Sequence, residues 1–234
     1  MPIVCGFCYT VYMQKSKIIE RTIRVRAMNK ILKTLYSHPI IALNYSNTWE
    51  LLVAVILSAQ CTDVRVNLVT KKLFVHYPTI TSYRDATQVD MEQSVYQCGF
   101  YRNKAKNIRG AAKIVIEKYG GEVPQTMEEL LLIPGVARKT ANVILSNAFQ
   151  KHEGIAVDTH VRRFAIRFNL TDFKDPKRIE RDLMQIMPPS EWWGFNHRLV
   201  YYGRDYCPAR KHDCMLHPLT SLYSHANTIW PRAQ

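Results

Sequence analysis

Between Leu132 and Ala141 the chain reads Leu-Ile-Pro-Gly-Val-Ala-Arg-Lys-Thr-Ala. Pro134 and Gly135 end one helix, Gly135 admits positive φ and close backbone approach, Val136 turns inward, and a second helix opens at about Ala137. A helix start leaves backbone N–H groups without intrahelical partners, and the positive end of the peptide dipoles lies there too. Gly135, Val136, Ala137, Arg138 and Thr140 are therefore expected to cradle one DNA phosphate, without regard to base sequence. Read by itself, the same segment is also an ordinary connector between two helices. Lys139 adds a primary amine in the first turn after it. Further on, Ala156-Val157-Asp158-Thr159-His160-Val161 brings a carboxylate to the start of another helix, where Asp158 has the pattern of a plain N-cap.

These groups need rigid elements to hold them, and from Asn47 onward the chain reads as helix after helix. Asn47 and Glu50 have capping-box spacing, and Leu51 to Leu57 is apolar on every face, which marks a central helix. Thr62 or Asp63 caps a helix striped by Val66, Val69, Leu73 and Phe74. Asn103 opens another, with Ile108, Ala111, Ala112, Val115 and Tyr119 inward, until Gly120-Gly121 stops it. Thr126 and Glu129 form a second capping box ahead of Leu130-Leu131-Leu132-Ile133. Further helices fit 138–149, 159–168, 176–187 and 190–203. No alternating strand pattern, internal repeat or low-complexity segment interrupts them, so the expected fold class is all-α.

The chain holds 32 Lys+Arg against 19 Asp+Glu, a formal net charge of +13, which favours a polyanionic partner. No stretch approaches the length of a transmembrane helix, so a membrane partner is not expected. With 47% hydrophobic and 22% charged residues the composition is globular, and 234 residues suffice for one large domain or two intimate lobes. Cys5, Cys8, Cys61, Cys98, Cys207 and Cys214 are scattered, and the apolar start precedes its basic residues, the reverse of a secretory leader. A reducing compartment is expected, with free thiols or a metal site. Residues 1–27 lack a clear core periodicity and end in a basic run. They are expected to be a disordered basic extension, with Met28 as an alternative start and Cys5-Gly-Phe-Cys8 as a weak metal or redox pattern.

The segment 132–141 resembles the helix-hairpin-helix of the endonuclease III superfamily of DNA glycosylases, with Ala137 where the hairpin usually has a second glycine. The block 156–161 resembles the family segment whose aspartate faces the hairpin lysine across a cleft. The resemblance thus implies that Lys139 is the nucleophile, Asp158 its carboxylate partner and His160 a DNA contact. Breaking a glycosidic bond builds oxocarbenium character at C1′, which a nearby carboxylate stabilises. A neutral lysine amine attacks C1′, a Schiff base forms, and β-elimination cuts the 3′ phosphate bond. The resemblance runs from about Asn29 to His225 and implies two helical lobes flanking a DNA cleft. One is a six-helix lobe, 45–151, with the hairpin at about 130–149. The other combines 28–44 with 152–234.

A damaged base must leave the stack before it can be excised. Leu57-Ser58-Ala59-Gln60-Cys61-Thr62-Asp63 is similar to the family segment whose glutamine fills the gap, here Gln60. Gly99-Phe100-Tyr101-Arg102-Asn103-Lys104-Ala105 is similar to the loop that carries an apolar wedge, here Phe100, which could stack on the orphaned base or be a core phenylalanine. Arg102 and Lys104 are expected to touch phosphate or to be solvated.

Many members of the family end in four cysteines that hold a [4Fe–4S] cluster. This chain has Cys207-x6-Cys214-x2-His217-x5-Tyr223, so two of the four thiolates are missing. The favoured expectation is that the cluster is lost and no cofactor is bound, with Tyr206, Leu219, Leu222 and Tyr223 packing the loop. Two alternatives stay open: a cluster with other ligands, or zinc held by Cys207, Cys214, His217 and His225.

The resemblance implies a bifunctional glycosylase and lyase acting on oxidised pyrimidines, with damaged or abasic duplex DNA as partner and a monomer as the working form. Lys139 and the lack of a long C-terminal recognition segment speak against a monofunctional mismatch or adenine glycosylase. The Lys139–Asp158 pair speaks against a noncatalytic DNA-binding module. The expected location is the cytoplasm, at the nucleoid, for a prokaryotic source, and the nucleus or mitochondrion for a eukaryotic one.

Overall fold

A computed structural model of the protein describes residues 6–227, with side chains from residue 14 on, that of residue 224 excepted. In chain order the helices are α1 Gly6–Leu35, α2 Thr48–Ser58, α3 Asp63–His76, α4 Ile80–Asp85, α5 Gln88–Val95, α6 Tyr101–Tyr119, α7 Met127–Leu130, α8 Arg138–Ala148, α9 Thr159–Arg167, α10 Pro176–Ile186 and α11 Pro189–Asp205. Short 3-10 turns lie at Tyr96–Cys98, Thr220–Leu222 and Ser224–Asn227. No strand occurs among the described residues, and the protein is all-α. No described helix is long and apolar enough to cross a membrane. The chain forms two compact units, one made of residues up to Ile40 together with those from Gly154 on, the other of Ile41–Glu153.

The Ile41–Glu153 unit is built around α2. All seven residues from Leu51 to Leu57 are buried, and α3, α6 and α8 pack against this helix. Its start is fixed by Asn47, whose Oδ1 accepts from the Glu50 amide, while a Glu50 carboxylate oxygen accepts from the Ser46 amide. Thr62 caps α3, and Asp63 is simply its first residue. α6 begins at Tyr101 rather than at Asn103, because Phe100 already lies in the left-handed conformation that turns the chain into the helix. Ile108, Ala111, Ala112 and Val115 form its buried stripe, and Gly120, left-handed at φ 62°, ends it. Pro134 seats on α6 at Gly110, where a side chain would come within 3.2 Å of the proline ring.

In the other unit α1 packs against α10 and α11, and α9 packs against both of these. Ile179, Leu183, Ile186 and Met187 are all buried, as the helical spacing requires. The expectation of a disordered extension over residues 1–27 is corrected here: Gly6–Leu35 is one continuous helix. Val25, Met28 and Leu32 line its buried face. The basic run has structural work. Arg21 Nε donates to the Asn169 carbonyl and Arg24 to those of Phe168 and Asn169, all at the C-terminal end of α9, where helix carbonyls lack intrahelical donors. Lys17 and Arg21 pair with Asp172. Cys5 lies outside the described residues, as does the side chain of Cys8.

Candidate functional site

The helix-hairpin-helix segment has the local geometry that a phosphate cradle needs. Gly135 takes φ 82°, and a Cβ there would come within 2.9 Å of Asn107, so glycine is required both by conformation and by space. Val136 is buried beneath the turn. Ala137 caps α8 with no side-chain hydrogen bond, so no side chain of the cap competes for the first amides of the helix. Its φ of −96° and ψ of 170° are extended backbone, which alanine adopts without strain; the second glycine of the usual hairpin is dispensable here. Lys139 is the second residue of α8 and is exposed, and Arg138 and Thr140 beside it are half-buried.

Two other loops of the same unit share an unusual backbone. Gln60, at φ 52°, and Phe100, at φ 46°, are both left-handed without being glycine. Both are exposed; Phe100 keeps 64% of its surface, which excludes the core reading of this ring. Cys61 neighbours Cys98 there, and burial, then Cys61, pushes the Cys98 thiol up to about 12. Lys104, expected on the surface, is buried at 4% exposure, and its ammonium donates to the Cys98 carbonyl at 2.8 Å. Burial lowers its pKa. This lysine stands four residues before Ile108, on the buried stripe of α6, which turns it inward.

In the other unit Asp158 is the N-cap of α9, with Oδ1 accepting from the Val161 amide at 2.8 Å. The cap commits one oxygen and sets the direction of the carboxylate, so capping and chemistry are compatible. His160 is turned into its own unit, with Nδ1 beside Arg163 and packed so closely on Gly203 that a Cβ there would collide with it. This side chain is half-buried and packs within its own unit.

The loop after α11 gathers Cys207, His212, Cys214 and His217, whose ligand atoms all lie within 4.8 Å of one another. This group can hold a metal ion. His212 was missed by sequence reasoning, and His225, which the zinc alternative named instead, is exposed and packs edge-on against Tyr223. Tyr223 itself lies under the Arg24 guanidinium, 4.4 Å from the ring centre. Arg167 Nη1 donates to Cys207 Sγ at 2.7 Å. Burial nonetheless carries the Cys207 thiol up to about 11. Burial, with His212 and Arg167 nearby, lowers the His217 pKa.

A helical fold with an uncapped helix-hairpin-helix defines a class, and the profile of the HhH-GPD superfamily of base excision DNA repair proteins matches residues 53–189. Endonuclease III of Synechocystis sp. is 48% identical over 198 residues, which cover 85% of this chain and 90% of that protein. Two solved structures, a non-covalent endonuclease III–DNA complex and a trapped endonuclease III–DNA covalent intermediate, each match at a TM-score of 0.84 and 40% identity, over 88% of this chain and 97% of theirs. The chain belongs to the endonuclease III family.

Proposed function

We propose that the protein is a bifunctional DNA glycosylase and abasic-site lyase that removes oxidised pyrimidines in base excision repair. One observation carries the reading: an exposed lysine, Lys139, stands in the first turn of a helix whose start is built as a phosphate cradle. The backbone of Gly135, Val136 and Ala137, with Arg138 and Thr140, holds a phosphate of damaged or abasic duplex DNA. Gln60 and Phe100 fill the space that the extruded nucleotide leaves. Asp158 stabilises positive charge at C1′ and takes a proton from the Lys139 amine, which attacks C1′ as the base departs. The resulting Schiff base acidifies the C2′ hydrogen. Loss of that proton expels the 3′ phosphate and nicks the strand. The relative trapped covalently on DNA is consistent with such an intermediate. The working form is a monomer, and the bacterial source of the relative supports a cytoplasmic, nucleoid location.

The C-terminal loop does not fit a four-thiolate [4Fe–4S] cluster. Among the described residues only Cys207 and Cys214 bring thiols to it, and Tyr223 is engaged by Arg24. No step of the reaction is routed through a cofactor.

Borohydride trapping on a duplex bearing thymine glycol tests the reading. The intact protein is expected to give a covalent adduct that Lys139→Ala abolishes, and Asp158→Asn is expected to slow adduct formation by on the order of 100-fold or more. An adduct on an abasic site alone would keep the lyase and reopen the choice of base. No adduct on either would overturn the proposal in favour of a monofunctional enzyme or a DNA-binding remnant.

A further inference from the structure

The four donors in the loop after α11 have no part in the chemistry just described, yet they are placed with care. We propose that this chain binds a single zinc ion through Cys207, His212, Cys214 and His217, where the family pattern would place an iron–sulfur cluster.

Size decides between the two. A tetrahedral zinc with Zn–S about 2.3 Å and Zn–N about 2.0–2.1 Å sets its donor atoms roughly 3.3–3.8 Å apart. Cys214 Sγ and His212 Nε2 are 3.3 Å apart, and all four donors fall within 4.8 Å. The group closes on one ion by a small contraction. A cube of four irons and four sulfides must sit between its ligands and would force them far apart. Donor chemistry agrees, since two thiols and two imidazoles with no carboxylate form a zinc set and not a magnesium or calcium set.

The surroundings orient the ligands as a metal site requires. The Arg210 carbonyl lies 2.7 Å from His212 Nδ1, so it accepts from the Nδ1–H tautomer and leaves the Nε2 lone pair facing the Cys214 sulfur. Arg167 donates to the Cys207 sulfur, Arg163 to the Cys207 carbonyl and Thr220 Oγ1 to the Cys214 carbonyl. His217 Nδ1 is buried with no hydrogen-bond partner, an orphan of the kind that a metal satisfies. Arg163 and Arg167 both belong to α9, so the ion would staple the end of the chain to the helix that Asp158 caps.

Full-length protein, purified without added metal, is expected to carry about one zinc per chain and no acid-labile sulfide. Stripped with a chelator and titrated with cobalt, it is expected to show the visible d–d bands and near-ultraviolet thiolate charge transfer of a tetrahedral sulfur–nitrogen centre. His212→Gln and His217→Gln are each expected to weaken metal affinity by on the order of tenfold or more, whereas His225→Gln leaves stoichiometry and spectrum unchanged. Helix content by circular dichroism separates ligand loss from misfolding, and the cobalt titration of the unmutated protein needs no variant. Iron with labile sulfide, or no metal retained after equilibration with zinc, would overturn the proposal, and full affinity in His212→Gln would overturn the ligand set. Schiff-base trapping reads Lys139 separately, so the two proposals fail independently.

Discussion

Phe100 is held in a left-handed conformation that costs a residue with a side chain about 1–2 kcal/mol, and its ring is left in water. Strain and exposure together are what a side chain that works in another state shows. Phe100→Gly removes the strain together with the ring. Thermal melts are expected to show equal or higher stability, while excision of a base-paired lesion falls by on the order of tenfold, about 1.4 kcal/mol. Cleavage of a preformed abasic site is expected to suffer less, since no base remains to be extruded. Unchanged excision would show that Phe100 does not enter the duplex. The neighbouring Lys104 was read from its charge as a phosphate contact or a solvated residue, yet it stands four residues before Ile108 on the inward stripe of α6, and its ammonium donates to the Cys98 carbonyl. His212 was missed for a different reason. It stands two residues before Cys214 in a loop, where no periodicity shows which side chains converge.

At the scale of elements, the hairpin was the most legible part of the chain, because every feature that shapes it lies within ten consecutive residues. Its two usual glycine positions are not equivalent, however. Gly135→Ala meets both a positive φ and the Asn107 side chain, and it is expected to lower stability by about 1–3 kcal/mol in urea unfolding and to weaken binding to duplex DNA. Ala137→Gly restores the usual hairpin glycine and is expected to change DNA affinity little, because Ala137 already has the extended dihedrals needed there. Weaker binding in Gly135→Ala without any loss of stability would place the role of Gly135 in the contact alone. The helices themselves were legible because their buried stripes are continuous, as in α2, α6 and α10. α1 was not, since much of what ties it to its unit is done by Arg21 and Arg24 on carbonyls more than 140 positions away in the chain.

For the whole molecule, the net charge of +13 has two uses that composition cannot separate. Part of it faces solvent, where a polyanion can meet it, and part is internal: Arg21, Arg163, Arg167 and Arg198 are all buried. A chain shortened to begin at Met28 loses the fully buried Val25 and the Arg21 and Arg24 bonds to the end of α9. Its unfolding free energy is expected to drop by at least about 3 kcal/mol. An unchanged denaturation midpoint would show that the first 27 residues are dispensable to the fold.

The route of the chain through its two units has a consequence for its birth. α1 is made first, but its partners α10 and α11 are among the last segments made, after the whole of Ile41–Glu153. On a ribosome working at about 5–20 residues per second, a helix bearing Val25, Met28 and Leu32 waits for roughly ten seconds or more with its apolar face uncovered. The basic residues along that same helix keep the waiting segment in solution until its partners arrive, so the charge that later binds carbonyls first acts as a guard against aggregation.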